Sequence, residues 1–434
     1  MAGKLFMKHL YNSLRLGLLA LLTFVCVATA TAADQQWEWV VKEIKTGSDV
    51  AVKQLSHQER TVLLATIALK SDDPDSALRL LLKAKKGKDP LVALLEAEAY
   101  RQQAIQAMRD SGAGGMGRQE RMLESVDLNN GLGEADARLN AFISNLRSVK
   151  GEPVDVLLAG SSMANVFMFD KARNRLFVYK PTGSGGFEKV TDEYVVTGSI
   201  QGDKIRRGDG KTPHGVYRFI KKLQGKNLEA RYGPVAYPID YPNTLDLLHQ
   251  KNGSGIWMHG YPMDVSRRPP QDTRGCFSLN NHRLMNISKY VRLHRSWVIV
   301  GKDFVFGQNK DKQEMLESVQ RDIEAWRRDW MSLNANAYFS HYHEKFRSGD
   351  RNLAEWKRYK SKLNAKKTSV HVELTDMTII HDPNPWPEGE IVVAEFDQRY
   401  RSSNYKDQGR KRVYLVRASA NQAWKVLIEE SLPQ

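Results

Sequence analysis

The 434-residue chain reads as a multidomain protein: an α-helical N-terminal region, a mainly-β middle domain and an α+β C-terminal domain. Three observations predict this order. Residues 34–150 carry apolar side chains at three- and four-residue steps, as in "TVLLATIALK" and "DPLVALLEAEAYRQQAIQAM", which is the period of amphipathic helices. Residues 151–305 change to short runs, among them "VDVLLA", "NVFMFD", "RLFVYK", "DEYVVTGS", "GVYRFI", "GIWMHG" and "SWVIVG", separated by Gly, Pro and Asp. These read as strands and turns. Residues 313–434 begin with one long amphipathic helical stretch, "EMLESVQRDIEAWRRDWMSLNANAYFSHY". They continue through the basic "RNLAEWKRYKSKLNAKKT" and end in the strand-like "SVHVELTDMTII", "EIVVAEFDQRYRS", "RKRVYLVRAS" and "AWKVLIEE".

Ahead of the first helices, residues 1–33 have the order of a secretory signal peptide: Lys4, Lys8 and Arg15, then the apolar "LGLLALLTFVCV", then the small residues "ATATAA". Cleavage is expected after Ala30, Ala32 or Ala33. The apolar stretch falls short of the ~20 residues a membrane span needs. The mature protein is therefore expected to be exported, periplasmic and without a stable membrane span. Cys26 leaves with the signal, and bulky Val25 before it argues against a lipoprotein cysteine. The net charge is +15; removing three basic residues and no acid leaves 62 minus 50, or +12. That balance suits an acidic polymer or an anionic surface. Nucleic acid is not expected as a partner, because no basic helix has base-reading or zinc-finger spacing.

Within the helical region Asp73 and Asp89, each before a proline, suit helix starts. Their spacing hints at a tetratricopeptide-like pair, without a clean 34-residue repeat. The "SGAGGMG" at 111–117 reads as a flexible joint and not a phosphate loop, since no strand precedes it and no Gly-Lys-Ser/Thr follows.

The chemistry-bearing residues lie in the middle. His259 ends the apolar strand "GIWMHG", and Cys276, the one cysteine of the mature chain, follows a Pro- and Arg-rich loop. A lone exported thiol cannot form an internal disulfide. It is a nucleophile with His259 as its base, a metal ligand, or a small buried apolar residue. A zinc site needs three or four ligands, and His282 is the one close extra candidate, so no metal and no cofactor are expected. Because "NNHRLMNISKYV" behind Cys276 looks helical, a helix N-terminus together with the imidazole is expected to favour the thiolate.

"GKTPHGVYRF" at 210–219, "YPIDYPN" at 237–243, "IWMHG" at 256–260 and "TRGCFSL" at 273–279 occur in that order, with His259 seventeen positions before Cys276. Together they resemble the L,D-transpeptidase catalytic domain, also called the YkuD domain, over roughly 150 residues. The resemblance implies a β-sandwich-like domain with Cys276 as nucleophile in a cleft, His259 as its base and the Gly260 carbonyl as the partner that orients the imidazole. Gly275 and Cys276 backbone N–H groups are candidate oxyanion donors, glycine allowing close approach. The sequence departs from the family at two positions: Arg274 stands where a second histidine is usual, and Ser278 where an arginine is common. Arg274 is a candidate oxyanion or substrate residue in place of that histidine. Arg267 and Arg268, in the connecting loop, are candidates for holding a substrate carboxylate in place of the arginine, or are simply solvated.

The C-terminal order of helix and curved sheet resembles the nuclear-transport-factor-2-like (NTF2-like) fold. Trp326, Trp330, Tyr338, Phe339 and Trp424 are expected to pack its core. A transpeptidase domain followed by this fold resembles exported enzymes that trim peptidoglycan stem peptides in cell-shape control. The resemblance implies attack on the diaminopimelate–D-alanine bond of a tetrapeptide stem through a thioester, with hydrolysis to a tripeptide. The alternatives are transpeptidation to a crosslink, attachment of a lipoprotein, and a non-catalytic peptidoglycan-binding module. Peptidoglycan stem peptides are the expected partners, with a protein partner a further candidate for the helical or NTF2-like region. All proposed catalytic groups lie between 259 and 276, so a chain ending near residue 308 is expected to keep its action on a small tetrapeptide.

Overall fold

The computed structural model describes residues 37–47, 55, 57–83, 91–110, 121–123, 129–148, 152–183, 185–265, 268–307 and 310–432. The signal-like stretch, Asp89, the glycine-rich 111–117 and Arg267 lie outside them. The described residues divide into two compact units, one ending at Leu146 and one beginning at Arg147.

The first unit is helical: α1 (37–46), α2 (His57–Lys70), α3 (Pro74–Lys83), α4 (Leu91–Asp110) and α5 (Asn129–Ser148). Helix α2 is apolar on two sides. Its Val62, Ala65 and Leu69 meet Leu78 and Leu81 of α3 and Leu91 and Leu95 of α4. Its Leu63 and Ile67 meet Val40, Ile44, Leu139 and Phe142. Asp73 caps α3, accepting from the Ser76 N–H at 3.0 Å, as Asp before Pro suggested.

The second unit contains three main sheets. A five-stranded sheet has the order β4 (Phe187–Tyr194), β3 (Arg175–Pro181), β2 (Val166–Asp170), β12 (Trp297–Gly301), β6 (Gly215–Arg218). A four-stranded sheet has the order β11 (Phe277–Leu279), β9 (Trp257–Gly260), β8 (Val235–Pro238), β7 (Leu223–Gln224). They face one another across Phe167, Phe169, Tyr217 and Phe219 on one side and Met258, Phe277 and Leu279 on the other. Between them in sequence lie the short pair β5 (Thr197–Gly198) and β10 (Gln271–Thr273), and the helices α6 (Thr244–Leu248) and α7 (Asn281–Ser288).

The third sheet is C-terminal: β15 (Val370–Trp386), β16 (Gly389–Ser402), β17 (Lys406–Arg417) and β18 (Lys425–Leu432), followed in the sheet order by β13 (Tyr342–Ser348) and β14 (Arg351–Asn352). Its first strand is β1 (Val156–Leu158), from the sequence the transpeptidase-like region supplies, paired antiparallel with β15. One face of this sheet packs on α8 (Lys310–Met331), α9 (Ala335–Ser340) and α10 (Leu353–Asn364), with Trp326, Trp330, Tyr338, Phe339 and Trp424 all buried there. The long helix expected from 314 to 342 is two helices. Leu333 takes a left-handed φ of 59° and Asn334 caps the second helix, so helix period continues while the axis does not. The opposite face buries Ile380, Ile391, Val393, Tyr414 and Leu427 against Met168, Phe177, Trp297 and Ile299 of the five-stranded sheet. The two domains of this unit thus share a core. Among the described residues, no helix is long and apolar enough to cross a membrane.

Candidate active site

The site is built on the parallel pair β9–β11. Ser278 stands opposite His259 and Phe277 opposite Met258. Cys276 immediately precedes β11, two residues before Ser278. Strand alternation therefore sends the Cys276, Ser278 and His259 side chains to the same side of the sheet. A helix N-terminus is not what the thiol meets, contrary to the sequence expectation. Strand β11 intervenes, and α7 starts at Asn281 with the Asn280 side chain capping the His282 N–H at 3.0 Å.

His259 is 4% exposed. Its Nδ1 lies 2.6 Å from the Gly260 carbonyl oxygen. A carbonyl accepts only, so Nδ1 carries the hydrogen and Nε2 of the neutral ring carries the lone pair. The edge of Tyr232 meets the imidazole at 5.0 Å between centroids. Burial, reinforced by the Arg268 charge, holds the imidazole pKa down at about 4, against the favourable bond to Gly260. Cys276 is half-buried. Burial pushes its thiol up to about 11, opposed by the Trp257 backbone N–H and by the charges of Arg268 and Lys204. The thiol donates to the Gly255 carbonyl at 3.3 Å. At rest the thiol and the imidazole are thus both neutral.

Two glycines make room for this geometry. Gly275 has a φ of 120°, and a Cβ there would lie 2.6 Å from the Lys211 carbonyl oxygen. A Cβ on Gly260 would meet Asn281 Oδ1 at 2.1 Å. The turn between them and the nucleophile is tied by Thr273, whose hydroxyl donates to the Cys276 carbonyl at 2.8 Å and accepts from the Gly275 N–H at 3.1 Å. The Gly275 N–H is therefore occupied.

Of the other residues singled out in the sequence, Arg274 is exposed on the turn before Cys276. Arg268 folds onto Asp272, its Nε 2.8 Å from the carboxylate, and its carbonyl accepts from the Tyr194 hydroxyl at 3.2 Å. Its guanidinium is thus paired with Asp272 at the surface. Ser278 is 0% exposed and donates to the Gly260 carbonyl at 3.1 Å, so its hydroxyl serves the imidazole's partner and is not open to substrate. His282 is exposed, and its ring accepts from Asn286 at 3.5 Å. Sequence reasoning passed over Thr273, Tyr232 and the Gly255 carbonyl. Thr273 and Gly255 stand inside or beside the quoted motifs, but nothing in the sequence shows which way they point.

Two facing sheets, with a tautomer-fixed histidine on one strand and a thiol just before its parallel neighbour, are the architecture of the L,D-transpeptidase catalytic domain. Residues 164–305 match that family, and residues 318–430 match the Cds6 C-terminal NTF2-like domain. The chain thus carries an L,D-transpeptidase-family enzyme domain followed by an NTF2-like domain. Among solved structures it is similar to the helical cell shape determining protein Pgp2 from Campylobacter jejuni, with 26% identity and a TM-score of 0.56 over 69% of this chain and 98% of that one. A point mutant of the same Campylobacter protein gives 25% identity and the same TM-score of 0.56, over 69% and 97%. Bd1075 from Bdellovibrio bacteriovorus, at 24% identity and a TM-score of 0.56 over 65% of this chain and 98% of that one, shares the fold. No curated protein matches the chain.

Proposed function

We propose that the protein is an exported, periplasmic L,D-carboxypeptidase that removes the terminal D-alanine from tetrapeptide stems of peptidoglycan. One observation carries the reading: His259 Nδ1 is held by the Gly260 carbonyl, leaving Nε2 as a base on the side of the sheet where Cys276 lies. Cys276 Sγ attacks the carbonyl carbon between diaminopimelate and D-alanine while Nε2 takes the thiol proton. Because thiol and imidazole are both neutral at rest, the proton moves as the C–S bond forms. The Cys276 N–H is the remaining backbone donor for the oxyanion, the Gly275 N–H being bound to Thr273. Collapse breaks the C–N bond, Nε2–H protonates the departing amine, and a thioester remains. Water, deprotonated by His259, then releases the tripeptide and restores the thiol.

Hydrolysis is favoured over crosslinking because the position where the family commonly has arginine is a buried serine bonded to Gly260. The similarity to a helical cell shape determining protein supports a role in shaping the wall. Incubating the purified protein with tetrapeptide-stem muropeptides and resolving the products by mass tests this. Loss of one alanine without dimers is expected; crosslinked dimers would assign transpeptidation instead, and unchanged substrate would end the enzymatic reading.

A further inference from the structure

A cavity of about 1000 Å³ lies between the transpeptidase-like domain and the face of the C-terminal sheet turned toward it, and neither Cys276 nor His259 lines it. Its size is at the upper end of ligand-binding clefts. Its floor is charged and closely paired: Arg218 bonds Glu395 at 2.5 Å, and Arg412 bonds the same carboxylate at 2.8 Å. Two buried atoms there have no partner, the Arg218 Nε and the Glu430 Oε1. The Glu430 side chain bonds Thr244 and its Oε2 lies 4.0 Å from Arg412; Oε1 is the acceptor left over, which a ligand N–H or ammonium group would satisfy. The rim is cationic. Arg295 is exposed and held only through its Nε to the Ser162 carbonyl at 3.0 Å. Arg399 is exposed with a carboxylate of Glu373 no nearer than 4.0 Å.

The lining holds five arginines against four carboxylates, which is close to balance and unlike the one-sided charge a polyanion selects. Between the charged groups, Ile220, Pro242, Leu247 and Leu432 supply apolar surface, which suits the carbon chain of a ligand whose ends are charged. A molecule with donors at one end and carboxylates at the other matches this lining. We propose that this cavity is a second binding site, separate from the thiol, for a short zwitterionic peptide with its ammonium toward Glu430 and its carboxylates toward Arg295 and Arg399. Naming that peptide as a peptidoglycan stem rests on the function proposed above; the preference for a zwitterion does not. Such a site would hold one stem while Cys276 works on another, raising the local concentration of polymer at the thiol.

The probe is the soluble tetrapeptide L-Ala-γ-D-Glu-meso-diaminopimelate-D-Ala, titrated calorimetrically into full-length Cys276→Ala protein, with and without Arg295→Glu and Arg399→Glu. Both rim residues are exposed, so the fold should persist, and a circular dichroism melt checks it. The rim substitutions are expected to abolish one binding event or weaken it at least tenfold. A tetrapeptide with blocked amines and carboxyls should bind the two proteins alike. With Cys276 restored, the rim variant should cleave the free tetrapeptide at the parent rate. Identical isotherms for parent and rim variant, or no binding to either, would overturn the site. Rim-dependent binding in a protein that cleaves nothing would leave the site standing and sink the carboxypeptidase reading alone.

Discussion

Ser278 and His259 donate to the same oxygen, the Gly260 carbonyl, at 3.1 and 2.6 Å. The serine hydroxyl fixes the carbonyl that in turn fixes the imidazole. Ser278→Ala is expected to lower kcat several-fold with KM unchanged, because the base turns more freely while no group contacting substrate is lost. Removing one buried hydrogen bond costs about 1 kcal/mol of stability. Steady-state kinetics beside urea unfolding check both numbers; a raised KM with kcat intact would make Ser278 a substrate contact.

A thiol held up at about 11 and an imidazole held down at about 4 do not form an ion pair near neutrality. Iodoacetamide alkylation of Cys276 is therefore expected to rise about tenfold per pH unit through the neutral range, without a plateau below about pH 10. His259→Ala should abolish turnover and leave that profile nearly in place. An alkylation midpoint near pH 7 would show that the pair ionises before substrate arrives.

Burial of neutral His259 also has a stability consequence. The unfolded chain takes up a proton below its ordinary pKa of 6.5, whereas the folded chain resists it down to about 4. Stability is thus intact above pH 6.5 and falls as the pH drops from 6.5 to 4, by about 3 kcal/mol from this residue. His214, lowered to about 4 chiefly by burial, adds in the same direction. Urea midpoints measured from pH 7 to pH 4 should decline, and His259→Gln should flatten the decline.

Glu395, 2% exposed, is the common partner of Arg218 and Arg412, which are 5% and 6% exposed. Glu395→Ala leaves the buried Arg218 without its carboxylate and Arg412 with the more distant Asp240 at 3.4 Å, and is expected to cost about 3–5 kcal/mol. The same interface revises the expectation for truncation. A chain ending near residue 308 would expose Met168, Trp297 and Ile299 and leave β1 without β15. It should aggregate or lose cooperative unfolding, and small-peptide cleavage with it. A monomeric, cooperatively melting truncation would show that the shared core is dispensable.

Arg274, exposed on the turn before Cys276, is expected to act on developing charge only. Arg274→Ala should reduce kcat about tenfold with KM and melting temperature unchanged. A variant as fast as the parent would make it a bystander.

The sequence by itself determined the thiol, its histidine and the family they belong to, because these rest on short motifs whose strand period and glycines are local. Gly275 was legible as a close approach and has the left-handed φ of 120° that favours glycine; that Gly260 also leaves no room for a Cβ, because Asn281 lies against it, was not. Helix periodicity likewise located the C-terminal aromatics in a core, though it ran past Leu333, where a single left-handed residue breaks the axis without disturbing the pattern. What the tertiary structure decided is direction and partnership. Ser278 turned inward to Gly260, Arg268 folded onto Asp272, and β1 crossed to the C-terminal sheet. Arg218 found Glu395, 177 residues away in the chain. Such pairings follow from which faces of two sheets are buried against each other, and composition and spacing carry no record of that choice.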